Sequence, residues 1–178
     1  MAKDLVLTLT GHDKIGIVEN VTDLALKCKS NIGESRMAHL GGEFAMMMLL
    51  TTPDEQFKRL QERLKSLEKD GFTINIVETS PIDSTKYSGW IPYQIKMTGA
   101  DHEGVIYDIT RHLSKHNINI ESMETSIVSA PMSGTPLVSV SAVVVVPPDV
   151  SFHDLEEGLE KDGDGLNMDT EVAPYTGR

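Results

Sequence analysis

The feature that most constrains this chain is an internal repeat. Thr10-Gly11-His12-Asp13-Lys14-Ile15-Gly16-Ile17-Val18 returns 88 positions later as Thr98-Gly99-Ala100-Asp101-His102-Glu103-Gly104-Val105-Ile106. The same offset carries Thr22 to Thr110, Lys27 to Lys115 and Asn31-Ile32 to Asn119-Ile120. One offset held over so many positions means that one supersecondary plan is used twice. Further on, Gly71-Phe72 aligns with Gly165-Leu166, so the second copy is expected to carry about six extra residues in the loop Ser129 to Gly134. With 178 residues in all, each copy has the length of a small domain. The boundaries read as 1–80 and 89–178, joined by a turn-rich linker over 81–88.

Each copy reads as strand, helix, strand, strand, helix, strand. In the first, Leu5, Leu7 and Leu9 alternate, then Ile17, Val21, Ala25 and Cys28 follow helical spacing. Asn31 to Leu40 and Phe44 to Thr51 form a hairpin across Gly41-Gly42. Thr52-Pro53-Asp54-Glu55 has the form of a capping box opening a helix with Phe57, Leu60, Leu64 and Leu67 on one face. Phe72, Ile74 and Ile76 close the copy. In the second, Ser151 and Asp154 predict a capped but shorter helix carrying Leu155 and Leu159, and Leu166 to Val172 the last strand. The expected class is α+β: two tandem ferredoxin-like βαββαβ units, each a four-stranded antiparallel sheet with two helices on one face. The third strands, Phe44 to Thr51 and Leu137 to Val146, contain the runs Phe44 to Leu50 and Ala142 to Val146, which are apolar at either parity. A sheet covered on one side needs only one apolar parity, so apolar side chains are expected on the uncovered face as well.

Composition removes several function classes. A net charge of −11 disfavours direct contact with a phosphate backbone. The longest apolar run, Phe44 to Leu50, is far shorter than a membrane span. The chain passes from Lys3-Asp4 straight into alternating residues, without a signal-peptide pattern, so a cytoplasmic location is expected. The single cysteine, Cys28, lies on an apolar helix face and reads as core. His112 and His116 have chelating spacing on one helix, but no third ligand is set by sequence, so no metal is assigned. Asp149 to Glu171 holds nine acidic residues and one lysine, which reads as a solvated acidic face or as a docking surface for a basic partner.

The most specific local pattern is Gly-x-Asp-x-x-Gly, where the first strand hands over to the first helix: Gly11, Asp13, Gly16 and Gly99, Asp101, Gly104. A helix start offers N–H groups and a positive dipole end to a carboxylate. The aspartates read either as acceptors for an ammonium group or as helix caps. The glycine spacing of the first loop is that of a phosphate loop, but Ile17-Val18 stands where Lys-Ser/Thr is required. No nucleophile–base set emerges, so neither catalysis nor a cofactor is expected.

Tandem βαββαβ units with this loop, and with Asn-Ile opening the second strand, resemble a pair of ACT domains. Gly134-Thr135-Pro136-Leu137 and Pro147-Pro148-Asp149-Val150 are similar to the glycine cleavage system transcriptional repressor family. The resemblance implies a non-catalytic regulatory protein that senses an amino acid at domain interfaces, forms a homodimer and acts through a protein partner. By motif, the ligand-binding residues would be Asp13, Lys14, Ile15, Gly16, Asn31 and Ile32, with Asp101, His102, Glu103, Gly104, Asn119 and Ile120 in the second copy. His102 stands for Lys14 and Glu103 for Ile15, so the sites are not equivalent. The alternatives are a regulatory subunit of an enzyme of amino-acid or one-carbon metabolism, and an interaction module with vestigial pockets.

Overall fold

The computed structural model describes residues 2–80, 86–130 and 134–177. The chain divides into two units, 1–82 and 83–178. The first unit runs β1 (Ala2–His12), α1 (Ile17–Lys27), β2 (Asn31–Leu40), β3 (Glu43–Pro53), α2 (Phe57–Lys65) and β4 (Thr73–Thr79), with short 3-10 turns on either side of α2. The second runs β5 (Ile91–Ala100), α3 (Val105–Lys115), β6 (Asn119–Ser129), β7 (Pro136–Val146), α4 (Phe152–Gly165) and β8 (Met168–Pro174). The sheet orders are β2-β3-β1-β4 and β6-β7-β5-β8, with every neighbouring pair antiparallel. Each unit is therefore the ferredoxin-like sandwich expected from the repeat.

The two helices of each unit bury one face of their sheet. In the first unit Leu5, Leu7, Leu9, Met46, Met48 and Leu50 meet Val21, Ala25, Leu60 and Leu64 in a single core. The second core repeats this with Ile95, Met97, Val140, Val144, Ile109, Leu113, Leu155 and Leu159. Full burial of each such side chain is worth about 1.5–3 kcal/mol. Cys28, directly after the last residue of α1, is buried in the first core.

Backbone pairing resolves the ambiguity of the third strands. Burial alternates strictly along β3 and β7. Phe44, Met46, Met48 and Leu50 point under the helices, as do Val144 and Val146. Met47 and Leu49, and Val143 and Val145, take the opposite face. On that face of the first unit, Leu49, Val6 and Val77 stand side by side on β3, β1 and β4.

Three local expectations are corrected. Thr52 does not cap α2. β3 continues through Pro53 because Lys3 and Ala2 of β1 pair with Thr52 and Pro53, and the fully buried Thr52 hydroxyl accepts a hydrogen bond from Ser30 Oγ at 2.8 Å. α2 starts instead from a 3-10 turn, with no side-chain cap. The second helix of the second copy is longer, not shorter: α4 has 14 residues where α2 has 9. The partner of Gly71-Phe72 is Asn167-Met168 rather than Gly165-Leu166, because Thr10 pairs with Thr73 and its counterpart Thr98 with Asp169. Asn167 takes over the left-handed turn of Gly71, with φ 54° against 91°. Leu9 faces Met46 and Met97 faces Val140, which leaves six of the added residues in the β6–β7 hairpin. Of that loop, Pro131 to Ser133 lie outside the described residues, as do linker residues Pro81 to Thr85.

Candidate functional site

The two glycines of each Gly-x-Asp-x-x-Gly loop serve different physical ends. Gly11 lies under Phe72, where a Cβ would stand 2.7 Å from the ring's Cδ1. Gly99 is as crowded, with a Cβ position 2.5 Å from the Asn167 carbonyl oxygen. These glycines are required by packing within the fold. Gly16 and Gly104 are not crowded but sit at φ 89° and 93°, in the left-handed region. They turn the chain sharply into α1 and α3, and neither helix receives a side-chain cap. Asp13 and Asp101 are thus not caps. The contrast with α4 is direct: there Ser151 Oγ accepts from the Asp154 N–H, and the Asp154 carboxylate accepts from the Ser151 N–H.

In the first unit the loop is tied to the β2–β3 hairpin. The Asp13 N–H donates to the Gly42 carbonyl at 3.3 Å, and Asp13 Oδ1 is 3.5 Å from His39 Nε2. His12 Nδ1 stands 2.7 Å from Glu43 Oε1. Lys14 and Ile15 project into solvent, Ile15 without any shelter. A cavity of about 460 Å³ opens beside the loop, with His12, Leu40, Glu43 and Thr73 among its lining residues. The hairpin's contribution was not legible from the loop motif; its signal is Gly41-Gly42, which folds Leu40 and Glu43 back to the end of β1.

In the second unit the Asp101 N–H donates to the Pro136 carbonyl at 3.2 Å. His102 bridges to the turn after α4, its Nε2 3.3 Å from the Leu166 carbonyl oxygen and its Nδ1 3.1 Å from that of Glu103. Replacing Lys14 by His102 therefore changes the loop's anchoring as well as its charge.

The structure separates the loops from the asparagines. Asn31 pairs with Thr51, and Thr51 with Asp4, at the end of the sheet where β1 begins. The loop leaves from the other end, where His12 pairs with Glu43. Eight residue steps of β3 lie between, about 27 Å at 3.4 Å per residue. Asn119, opposite Val145, is separated in the same way from Ala100, opposite Leu137. Ile32 and Ile120 pack against the two cores. Asn31 is exposed, whereas Asn119 and Ile120 line a cavity of about 540 Å³ together with Tyr87 and Trp90. Those two rings meet edge to face, centroids 4.9 Å apart, ahead of β5. They were missed in the sequence, where the signal was the lone tryptophan of the chain.

Among the described residues no group of three or more His, Cys, Asp or Glu side chains is placed to hold a metal ion. No helix among them is long and apolar enough to cross a membrane.

Comparison with known proteins agrees with this architecture. The ACT domain model matches residues 3–76 and again 92–173. The glycine cleavage system transcriptional repressor of Escherichia coli K12 is 30% identical over 122 residues, which are 67% of this chain and 62% of that protein. The chain thus matches somewhat under two thirds of that relative's length. A crystal structure of a protein from Galdieria sulphuraria is 26% identical and superposes with a TM-score of 0.86, covering 99% of this chain and all of the other. Another crystal structure, assigned to a glycine cleavage system transcriptional repressor, gives 0.70 at 20% identity over 99% of both chains, and speaks for the fold alone. Two matches to one family model, each laid over one βαββαβ unit, make this chain a member of the ACT domain family with the domain in tandem.

Proposed function

We propose that this protein is a non-catalytic regulator that binds a free amino acid through its strand-to-helix loops and passes the signal to a protein partner. The observation that carries the reading is the pair of uncapped helix starts, each preceded by a left-handed glycine and flanked by an aspartate. The first-turn N–H groups of α1 and α3 suit an α-carboxylate, and the Asp13 or Asp101 carboxylate suits an α-ammonium group. A zwitterion is the small ligand that satisfies both at once. The name of the Escherichia coli relative points the same way, towards transcriptional or metabolic control. With a net charge of −11, such control would run through another protein rather than through direct contact with nucleic acid.

The gap of about 27 Å between loop and asparagine, at 3.4 Å per strand residue, adds a condition. One amino acid cannot touch Asp13 and Asn31 of the same unit. If both kinds of residue contribute, the asparagine must come from outside the unit that supplies the loop. This supports a ligand held at an interface and a homodimer.

The test is a thermal-shift screen of the whole chain against the free amino acids at millimolar concentration. A ligand present at about 100 times its dissociation constant adds about 2.7 kcal/mol of stability. Asp13→Ala with Asp101→Ala should abolish that shift and leave the unliganded melting temperature nearly unchanged. If no amino acid moves the transition, the sensor reading is wrong.

A further inference from the structure

Helices α1 and α3 hold the same place in the two repeats, so one serves as an internal reference for the other. Buried Val105, Ile109 and Leu113 of α3 correspond to buried Ile17, Val21 and Ala25 of α1. The next positions depart from that match. Where α1 has Leu24, packed on the first core, α3 has His112; where α1 is followed by buried Cys28, α3 is followed by His116.

The change rebuilds the seam between α3 and α4. The His112 side chain is 11% exposed, and its Nδ1 stands 2.6 Å from Asp162 Oδ2 on α4. His116 stacks on it with ring centroids 4.4 Å apart, its Nδ1 2.9 Å from the His112 carbonyl oxygen. Gly158 keeps the space, since a Cβ there would stand 3.0 Å from His112 Cε1 and 3.2 Å from Nε2. What results is a groove of about 580 Å³ with Arg111, Lys115 and Lys161 on its walls, a size usual for small-molecule sites.

The charge in this groove runs against that of its surroundings. From position 81 onward the chain carries a net charge of −9. Three of the second unit's five described Lys and Arg residues nevertheless converge here. None of the three forms an ion pair among the described residues. Of the two carboxylates in the groove, Asp162 is bonded to His112, and Asp108 turns its Oδ2 towards Gly104 at the start of α3.

We propose that the α3–α4 groove is a binding site for a small dianion of the phosphate-ester class. Arg111 would supply a planar fork to two phosphate oxygens, Lys115 and Lys161 point charges, and Asp162 would fix the His112 ring at the floor. The site shares no residue with the strand-to-helix loops, and the first repeat, with Leu24 and Cys28 in its seam, has no counterpart.

The test is titration of the full chain with inorganic pyrophosphate and inorganic phosphate at constant ionic strength. Melting temperature and the histidine ring NMR signals are the readouts. Saturable binding that moves the His112 and His116 signals while leaving His12 in place is expected. Arg111→Gln with Lys115→Gln and Lys161→Gln should weaken it about tenfold or more. Lys86→Gln with Lys96→Gln, which removes the unit's other two described positive charges, should change it less than about twofold. All five side chains are exposed or at the rim, and Arg111→Gln alone, expected to cost about threefold, provides a milder variant should the triple one fold poorly. Absence of saturable binding, or equal weakening by the two charge-removal variants, would overturn the site. Neither outcome bears on amino-acid binding, which uses other residues.

Discussion

Gly11 lies directly beneath the Phe72 ring, and Gly99 lies in the same way beneath Met168 and the Asn167 carbonyl. The first glycine of each loop is therefore a packing residue that lets the last strand start close against the first. Gly11→Ala should destabilise the protein by about 1–3 kcal/mol through overpacking. Gly99→Ala should cost at least as much, because its nearest neighbour is backbone, which moves less readily than a ring edge. Denaturant unfolding of the two variants checks both expectations. Equal stability of Gly11→Ala and wild type would refute the packing role.

The second glycine answers to backbone conformation. Gly16 has nothing within 4 Å of a Cβ position but sits at φ 89°. Gly16→Val should lose on the order of 1–3 kcal/mol from strain alone. That loss would confound its use as a binding probe. Gly16→Asn, which tolerates the left-handed region, should stay within about 1 kcal/mol of wild type. Comparing the two melts before any ligand is added decides the point.

At the start of α4 the Ser151 hydroxyl and N–H hold the Asp154 carboxyl below its ordinary value of 3.8, with minor help from His153. A carboxyl depressed in the folded state contributes stability that is present above its unfolded pKa. That stability disappears as pH falls through the folded value. Ser151→Ala should cost about 1 kcal/mol near neutral pH. The difference from wild type should narrow below about pH 4, as Asp154 takes up its proton in both proteins. A gap that widened in acid would contradict this linkage.

The sheet faces away from the helices carry the apolar side chains expected there, with Met47 50% and Val77 52% exposed. Val143 and Val145 of the second unit are half-buried on the corresponding face, and contact with a second chain would bury such apolar surface. If that face joins two chains, Val143→Glu with Val145→Glu should reduce the sedimentation coefficient or precipitate the protein. A monomer by sedimentation, identical with and without the substitutions, would exclude that face as an interface.

The sequence alone determined the repeat, the βαββαβ order and the core, because these rest on short-range periodicity: Leu5, Leu7 and Leu9 every second residue, Val105, Ile109 and Leu113 every fourth. It also determined the Ser151–Asp154 box, whose bonds close over three residues. It could not determine where β3 ends, since Thr52-Pro53-Asp54-Glu55 carries good local signals for a helix start. The pairing of Lys3 with Thr52, 49 positions apart in the chain, overrides them by extending the ladder. The parity of Val143 to Val146 was likewise undecided, because a run apolar at both parities has no internal phase until Gln94 and Ile95 supply one. The division of labour between Gly11 and Gly16 was hidden for the same reason: crowding by Phe72 is a contact between residues 61 positions apart. So was the His112–Asp162 pair, which spacing on one helix had presented only as His112 and His116. Periodicity is written along the chain, whereas register, crowding and charge convergence exist only once distant segments meet.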